Sequence, residues 1–461
     1  MVIIPRLTLA LLWAVLPIGV MACSDDSDGG GHAGANGEAG GGNTGTGGSG
    51  NGAAGSENGT AGDGSVADCD LSREGREKVV IDEDIDQDMS LDASNYYVIE
   101  GIVHVLDGAT LTVPPCTRIE GDGSTLGTLV VSRGGRIVAD GDADAPILFT
   151  SSNTAVAGVD AEPGDWGGLV ILGRAPNAAG ANVLIEGMAD DALNQHGDVD
   201  PDPDDDSGVL RYVKIEYSGV DLGDGNEING LSLGSVGAGT TISHVMVANT
   251  LDDCFEWFGG TVDADHLICE NPGDDMFDTD DGYQGSLEYL FGRHGAALSG
   301  DPSGFEWDGS TDTDGSIDTI VNVRNATMCS GESAQFGMVL RRGIRGSIEN
   351  AVVLGFPIGV DVRDEDFEDG SDHDGDVTIE NSIIVAEALA RDESGEDNND
   401  AGFDDEAWFL EGEGNTTDEP DFDVGDCMDS DGPGSSVSGS GLGAFTDDTD
   451  WVYGVWTGWE L

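Results

Sequence analysis

Three short acidic segments contain the residues whose types and spacing could do chemistry. Each segment has aspartates near a glycine that can form a tight turn. Calcium takes about six to eight oxygen ligands, and flexible acidic loops of this kind supply them. The segments therefore predict one or more structural calcium ions, although none completes an EF-hand loop and the alternative is a set of solvated turns. The candidate ligands are Asp278, Asp280, Asp312, Asp314, Asp372, Asp374 and Asp376.

Two pairs of adjacent acids suggest a second chemistry, the hydrolysis of glycosidic bonds. The pairs are Asp252 with Asp253 and Asp280 with Asp281. An inverting glycosidase uses a carboxylic acid and a carboxylate base about 6.5–9.5 Å apart. The first pair recurs at positions 274 and 275, however, which indicates a structural repeat more than a unique site. A polysaccharide lyase would instead use an arginine of the 341–345 cluster as a base beside calcium, unless those arginines pair with neighbouring carboxylates.

Two tryptophans and two histidines also occur in repeated surroundings. Trp257 and Trp307 each follow a Phe-Glu pair. If both point outward they form a strip on which a sugar ligand could stack, and if both point inward they belong to the core. His244 and His266 lie one repeat apart, so we expect them to stack as a structural pair.

The segments that position these residues are short strands. From residue 79 onward, β-branched runs of three to five residues alternate with Gly, Asn and Asp turns, and helical periodicity is almost absent. This pattern is typical of an all-β protein with closely spaced turns.

The middle of the chain repeats with an offset of 22 residues. Residues 244–249 align with 266–271, and residues 252–256 align with 274–278. A strand-dominated period of this length indicates a solenoid, because one repeat is too small to bury a core and stacked repeats share one. We therefore predict a right-handed parallel β-helix with one coil per repeat, in which Asn249 and Asn271 stack at turns. A β-sandwich is the alternative.

Composition shifts divide the chain into parts. We predict the β-helix domain over residues 69–461, with acidic insertions at about 187–208 and 391–436 that project from the wall as loops. Binding residues are often placed on such loops.

The chain carries a formal net charge of −74. So negative a surface repels nucleic acid and anionic lipid, which excludes nucleic-acid binding and favours divalent cations, basic partners or a high-salt environment. Adaptation of an exported protein to salt would explain the charge equally well.

The N-terminus predicts export and a lipid anchor. Residues 1–22 have a cation, a short apolar run and a small residue before Cys23, as in a lipoprotein signal peptide. We expect Cys23 to be lipidated, residues 23–68 to form a Gly-rich disordered tether, and the protein to lie in the cell envelope at the outer membrane or cell surface. An ordinary secretory signal is the alternative.

Six further cysteines are compatible with three disulfides in an exported protein. Proximity in the sequence favours the pairs Cys69–Cys116, Cys254–Cys269 and Cys329–Cys427.

Several segments together resemble a known family. Residues 111–121, 134–141, 145–151 and 164–176, with the closing segment 443–457, are similar to exported bacterial right-handed parallel β-helix lipoproteins of the pectin-lyase-like type, whose function is uncharacterised. The resemblance implies the β-helix fold and a surface location and transfers no catalytic residue.

We therefore expect a lipid-anchored binding or structural module, stabilised by Ca²⁺, whose partners are the membrane and glycans or envelope proteins. The alternative is a carbohydrate-active enzyme on the same fold, either a glycoside hydrolase or a polysaccharide lyase. It rests on the paired acids, which resemble those of β-helical polygalacturonases.

Overall fold

The structure is a computed structural model. It describes residues 69–222, 226–295, 302–309, 317–331, 334–363, 377–391, 403–446 and 450–460. These residues belong to one unit that begins at Ser65. The predicted signal peptide, the lipid site at Cys23 and the tether lie outside the described residues, as do Asp312, Asp314, Asp372, Asp374 and Asp376.

Short strands dominate the described residues, as the sequence predicts. In chain order the strands are β1 Glu77–Ile81, β2 Met89–Ser90, β3 Asn95–Ile99, β4 Ile102–Val105, β5 Thr110–Val113, β6 Arg118–Gly121, β7 Thr128–Val131, β8 Arg136–Asp140, β9 Ile147–Ser151, β10 Gly168–Leu172, β11 Val183–Leu184, β12 Gln195–His196, β13 Gly208–Glu216, β14 Val220–Asp221, β15 Glu227–Ile228, β16 Leu231–Val236, β17 Thr241–Ala248, β18 Phe255–Gly260, β19 Ala264–Glu270, β20 Phe277–Asp280, β21 Gln284–His294, β22 Ser303–Asp308, β23 Ile320–Ser330, β24 Phe336–Arg341, β25 Arg345–Leu354, β26 Ile358–Arg363, β27 Val377–Glu380, β28 Ile383–Val385 and β29 Ala388–Ala390. The α-helices are α1 Asp405–Glu411, α2 Val424–Cys427 and α3 Ser435–Ser438.

The strands form two large parallel sheets that the chain visits in turn. The first sheet runs β1-β3-β6-β9-β13-β17-β19-β21-β23-β25-β27, and the second runs from β4 through β7, β10, β16, β18, β20, β22, β24 and β26 to β29. Val245 of β17 lies beside Leu267 of β19, and Leu267 lies beside Leu290 of β21, so one coil stacks on the next. The predicted parallel β-helix is confirmed, and the parallel pairing excludes a β-sandwich.

Alternation of side chains along each strand fills the interior. Phe255, Phe277 and Phe305 occupy matching positions in three successive coils and form an aromatic column in the core. At one turn, Asn271 Nδ2 donates to Asn249 Oδ1 at 3.2 Å, and both residues adopt the left-handed backbone that asparagine tolerates. The predicted asparagine stack is therefore present. His244 and His266 also stack, with ring centroids 4.2 Å apart.

The same alternation decides the orientation of the tryptophans. Trp257 and Trp307 are both 0% exposed and lie in the core, while Glu256 and Glu306 beside them point outward. The prediction of an outward strip for sugar stacking is therefore wrong, and the inward alternative holds.

The three disulfides join the predicted pairs, Cys69–Cys116, Cys254–Cys269 and Cys329–Cys427. The last of these ties the C-terminal segment, residues 403–460, to strand β23.

That C-terminal segment covers the outer face of the first sheet. Outward apolar side chains such as Met246, Ile268 and Phe291 pack against Phe445 and Trp459 of the segment. Helix α1 places Phe409 in the core beside the last coil. Within the described part of the chain, no helix is both long enough and apolar enough to cross a membrane.

The first acidic insertion lies against the second sheet instead of projecting from it. Ile185 and Met188 pack on the outward side chains of Val170 and Leu172, together with Val220 of the β14–β15 hairpin. The insertion and the hairpin therefore cover the outer face of the second sheet in its early coils.

Candidate functional site

Beyond this cover, the outer face of the second sheet turns acidic. Glu256, Asp278 and Glu306 occupy one register position in the successive strands β18, β20 and β22. Asp280 and Asp308 end β20 and β22 on the same outward face. Parallel strands lie about 4.8 Å apart, so the register brings these carboxylates into close-packed columns.

Four carboxylates at the start of this face form what we call the uncompensated cluster: Asp253, Glu256, Asp275 and Asp278. Their neighbours are hydrogen-bond donors without charge. Asp253 Oδ1 accepts the Asp275 backbone N–H at 2.8 Å, and the Asn229 side-chain amide donates to Glu256. In the described part of the chain, no basic side chain lies within ion-pair distance of the four, which a buried charge normally requires.

Burial without a counter-charge changes the acidity of the cluster. Burial first, and the charges of neighbouring carboxylates second, raise the pKa of Asp253, Glu256, Asp275 and Asp278 well above the usual range. The same two causes raise the pKa of neighbouring Asp252 to about 9. In the isolated protein these acids therefore hold their protons at a pH where ordinary carboxylates are ionised.

The donors of the cluster fit a hard divalent cation. One carboxylate oxygen from each of Asp253, Asp275 and Asp278 lies within 4.8 Å of the others. Asp278 Oδ1 and the neighbouring Asn229 Oδ1 are buried and have no hydrogen-bond partner among the described residues. An all-oxygen set of carboxylate and amide groups is what Ca²⁺ prefers, whereas zinc favours nitrogen and sulfur.

Three carboxylates in the later coils form what we call the arginine-paired cluster: Glu306, Asp308 and Asp361. Arg341 bonds to both Glu306 and Asp308, and Arg342 also bonds to Asp308. Arg363 Nε donates to Asp361 at 2.7 Å. Each carboxylate here has its counter-charge within the fold.

The pairing removes the predicted lyase base. Burial lowers the pKa of Arg341, but its bonds to Asp308 and the charge of Glu306 outweigh that effect and raise the pKa above the usual arginine value. A guanidinium held so firmly in its charged form cannot accept a proton. Of the two readings of the 341–345 cluster, pairing with carboxylates is the one observed for Arg341 and Arg342.

Two more acids, from the residues that cover the second sheet, act electrostatically on the uncompensated cluster and its neighbour Asp252. Burial and the charge of Glu227 raise the pKa of Glu186, which belongs to the insertion, to about 7. Glu227 of the hairpin in turn contributes to the raised pKa of Asp252. Ligand oxygens of Asp252, Asp253 and Asp274 form a second compact group here.

The structure brings some sequence candidates together and separates others. Asp252, Asp253 and Asp278 belong to one carboxylate region, whereas Asp280 ends its strand and accepts the Asp281 N–H at 2.6 Å. Burial and nearby acids raise the pKa of Asp280 to about 7. Sequence reasoning missed Glu256, Asp275 and Asn229. The 22-residue offset would have found the first two, because it aligns them with Asp278 and Asp253.

The stacked histidines form a separate hydrogen-bonded chain. Ser243 Oγ lies 2.9 Å from His244 Nδ1 and donates to Asp265 Oδ1 at 2.6 Å, while His266 Nδ1 lies 2.5 Å from the same oxygen. The structural expectation for this pair fits these contacts, since hydrogen bonds satisfy both Nδ1 atoms.

The stacked parallel coils with an acidic outer face define a parallel β-helix protein of the pectate-lyase-like class. Residues 83–427 match the family of the pectate-lyase-like beta helix domain, and the chain belongs to this family. A comparison with curated proteins finds no match.

Two solved structures are similar to this chain over part of their length. The catalytic unit of GH87 alpha-1,3-glucanase from Streptomyces thermodiastaticus strain HF3-3 is 11% identical, with a TM-score of 0.26 and coverage of 73% of this chain and 65% of the glucanase unit. Tailspike protein 2 from the Escherichia coli O157:H7 bacteriophage CAB120 is 13% identical, with a TM-score of 0.20 and coverage of 63% of this chain and 35% of the tailspike. This chain thus spans less than two thirds of either structure.

Proposed function

We propose that this protein is a binding module in which the uncompensated cluster holds a divalent cation, with Ca²⁺ as the ion. The observation that carries the proposal is the group of four carboxylates that have no arginine or lysine at ion-pair distance among the described residues, next to an arginine-paired cluster on the same face. Because the fold supplies an ion-pair partner to one group and leaves the other to hold protons, an external cation that displaces those protons is the counter-charge that the second group lacks.

Calcium would be held by Asp253, Asp275 and Asp278, with Asn229 and Glu256 as neighbours able to complete the oxygen set. The two buried oxygens without partners support this assignment, because an unsatisfied buried acceptor is costly in the absence of a ligand. Bound calcium would supply positive charge at the start of the face.

We infer that the ligand of the module is an extended glycan. A cation at the start of the face and the half-exposed guanidinium of Arg342 further along would present two positive points on the same face. Carboxylate or hydroxyl groups of a polysaccharide could reach both. The protein would be held in the cell envelope by lipid on Cys23, which mass analysis of the N-terminal peptide would test.

A glycoside hydrolase is the second candidate, favoured by one observation. Burial raises the pKa of Asp280 to about 7 and, despite Arg341, that of Glu306 to about 6, which suits a general acid. Release of reducing ends from a polysaccharide panel by the native protein, lost in Glu306→Gln, would favour the enzyme.

Thermal unfolding with Ca²⁺ and with a chelator tests the module. We expect Ca²⁺ to raise the free energy of unfolding of the native protein through mass action, by about 3 kcal/mol at a hundredfold excess over Kd. The Tm should rise accordingly. Asp278→Asn should lose most of this rise because it removes a ligand charge. Asp190→Asn, a change of an exposed acid, is the matched control and should keep it. Equal melting of the native protein with and without Ca²⁺ would refute the cation site.

A further inference from the structure

The first coil leaves one strand edge without a neighbour. Strand β1 pairs in parallel with β3 over its whole length, from Glu77 beside Asn95 to Ile81 beside Ile99. It is the terminal strand of the first sheet, and no other strand of the described residues lies along its second edge. At the opposite end of the stack, helix α1 packs Phe409 into the core.

Parallel pairing fixes which backbone groups of β1 face outward from the stack. The Glu100 N–H donates to the Ile81 carbonyl at 3.1 Å, so Ile81 faces β3. In a parallel ladder the residues alternate between the two edges. The N–H and C=O groups of Lys78 and Val80 therefore point along the free edge.

An apolar cavity opens beside this edge. It has a volume of about 600 Å³ and is lined on its apolar side by Val79, Ile81, Ile85, Met89 and Tyr97. Val80, on the free edge itself, is 39% exposed. Val79 and Met89 are half-buried, so part of the apolar lining is accessible at the first coil.

Acids surround the cavity. The lining includes Asp82, Glu83, Asp84, Asp86 and Asp88. The nearest lysine on the strand, Lys78, is already engaged with Glu100 at 3.3 Å. The edge therefore combines free backbone groups, an apolar floor and a negative rim.

The Gly-rich segment that precedes the domain is poorly suited to fill the cavity. Residues 24–68 contain a single aliphatic residue larger than alanine, Val66. A second copy of the chain would bring another formal charge of −74 and the same acidic rim, so end-to-end contact is opposed by repulsion. Charge complementarity favours a basic occupant.

We propose that the free edge of β1 binds an extended basic segment of another protein by strand addition. Backbone groups of the segment would pair with Lys78 and Val80, its alternate apolar side chains would face the cavity, and its lysines or arginines would face the acids. This proposal does not depend on the cation site, since β1 is the terminal strand of the first sheet and the uncompensated cluster lies on the second sheet.

A labelled nonapeptide of alternating valine and lysine, titrated against the full chain by fluorescence anisotropy, tests the proposal. Val80→Pro removes the N–H on the free edge and spares the bonds to β3, so binding should weaken about tenfold or more. Val80→Thr keeps the N–H and should bind like the native protein. Circular dichroism and thermal melting confirm that both variants fold.

Three outcomes would overturn the proposal. Equal binding of the peptide to Val80→Pro would show that the edge is not used. Equal binding of a peptide with its valines and lysines in two blocks would show charge attraction without strand pairing. Self-association of the protein in sedimentation velocity that disappears in Val80→Pro would identify a second copy as the occupant.

Discussion

The uncompensated cluster and the arginine-paired cluster lie on the same face of the same sheet, a few coils apart. Both consist of buried or half-buried carboxylates placed outward by the same strand alternation. In the later coils Arg341, Arg342 and Arg363 bring a guanidinium to each acid. In the earlier coils the described residues bring none.

This difference separates a structural role from a binding role. A buried acid with its own arginine has its charge neutralised within the fold, and removing either partner destabilises the protein. A buried group of acids without one is electrostatically unfavourable when ionised, so in the isolated protein it holds protons that a bound cation would displace. Three measurements test this difference between the two clusters.

The largest expected effect is a dependence of stability on pH in the presence of chelator. The folded-state pKa of Asp252 is raised to about 9, and those of the uncompensated cluster are raised in the same direction. The folded state therefore holds more protons than the unfolded state between pH of about 4 and 9, and stability is present at the acidic end and lost as pH rises. Each extra proton that the folded state holds lowers the free energy of unfolding by about 1.4 kcal/mol for every pH unit of increase.

Urea unfolding at pH 6, 7 and 8 would measure this slope. Saturating Ca²⁺ should flatten it, because the bound ion holds the acids ionised. A stability that rises with pH in chelator would contradict the raised pKa values.

The next effect concerns the arginine-paired cluster. Arg341→Met should destabilise the protein by about 3 kcal/mol, because it leaves Glu306 and the nearly buried Asp308 without their main partner. Arg324→Met removes an exposed pair with Glu349 and should cost less than about 1 kcal/mol. Chemical denaturation of the two variants gives the comparison, and similar losses in both would mean that burial adds nothing to the Arg341 pair.

The smallest expected effect is on stability, which two matched substitutions should change in opposite directions. Glu256→Gln replaces an acid that the fold keeps protonated at a free-energy cost above its ordinary pKa, so it should stabilise the cation-free protein by about 1 kcal/mol. Asp308→Asn removes a charge that two arginines share and should destabilise it by a similar amount. Denaturation midpoints measured in chelator give the change in stability of each variant. Stabilisation in both variants, or destabilisation in both, would contradict the distinction between the clusters.

Much of the architecture could be predicted from the sequence, because stacking is a local and repeated property. The 22-residue offset that aligns His244 with His266 is the same offset that places Asn271 on Asn249 in the structure. The three cysteine pairs followed from proximity in the sequence, although Cys329–Cys427 spans 98 residues and joins the C-terminal segment to β23, not one coil to the next.

The candidate site was less accessible to sequence reasoning. The acids themselves are visible in the pattern, but their burial depends on an insertion that folds back over the sheet and brings Glu186 from a distant part of the chain. The orientation of the two tryptophans was also not predictable from the sequence. A Phe-Glu-Trp triplet is compatible with either face, and only the core position of Phe255 and Phe305 assigns Trp257 and Trp307 to the interior.

The C-terminal cover of the first sheet bears on how the chain matures. Ribosomal synthesis produces residues 241–354 long before Phe445, Trp456 and Trp459, so the outward Met246, Ile268 and Phe291 have no apolar neighbour from that segment until translation ends. A nascent or truncated chain that lacks the last residues would present this stripe to water, where it can associate with other chains. We therefore expect the C-terminal segment to be the last part of the fold to cover this stripe. Deletion of the segment should first cause aggregation of newly made protein.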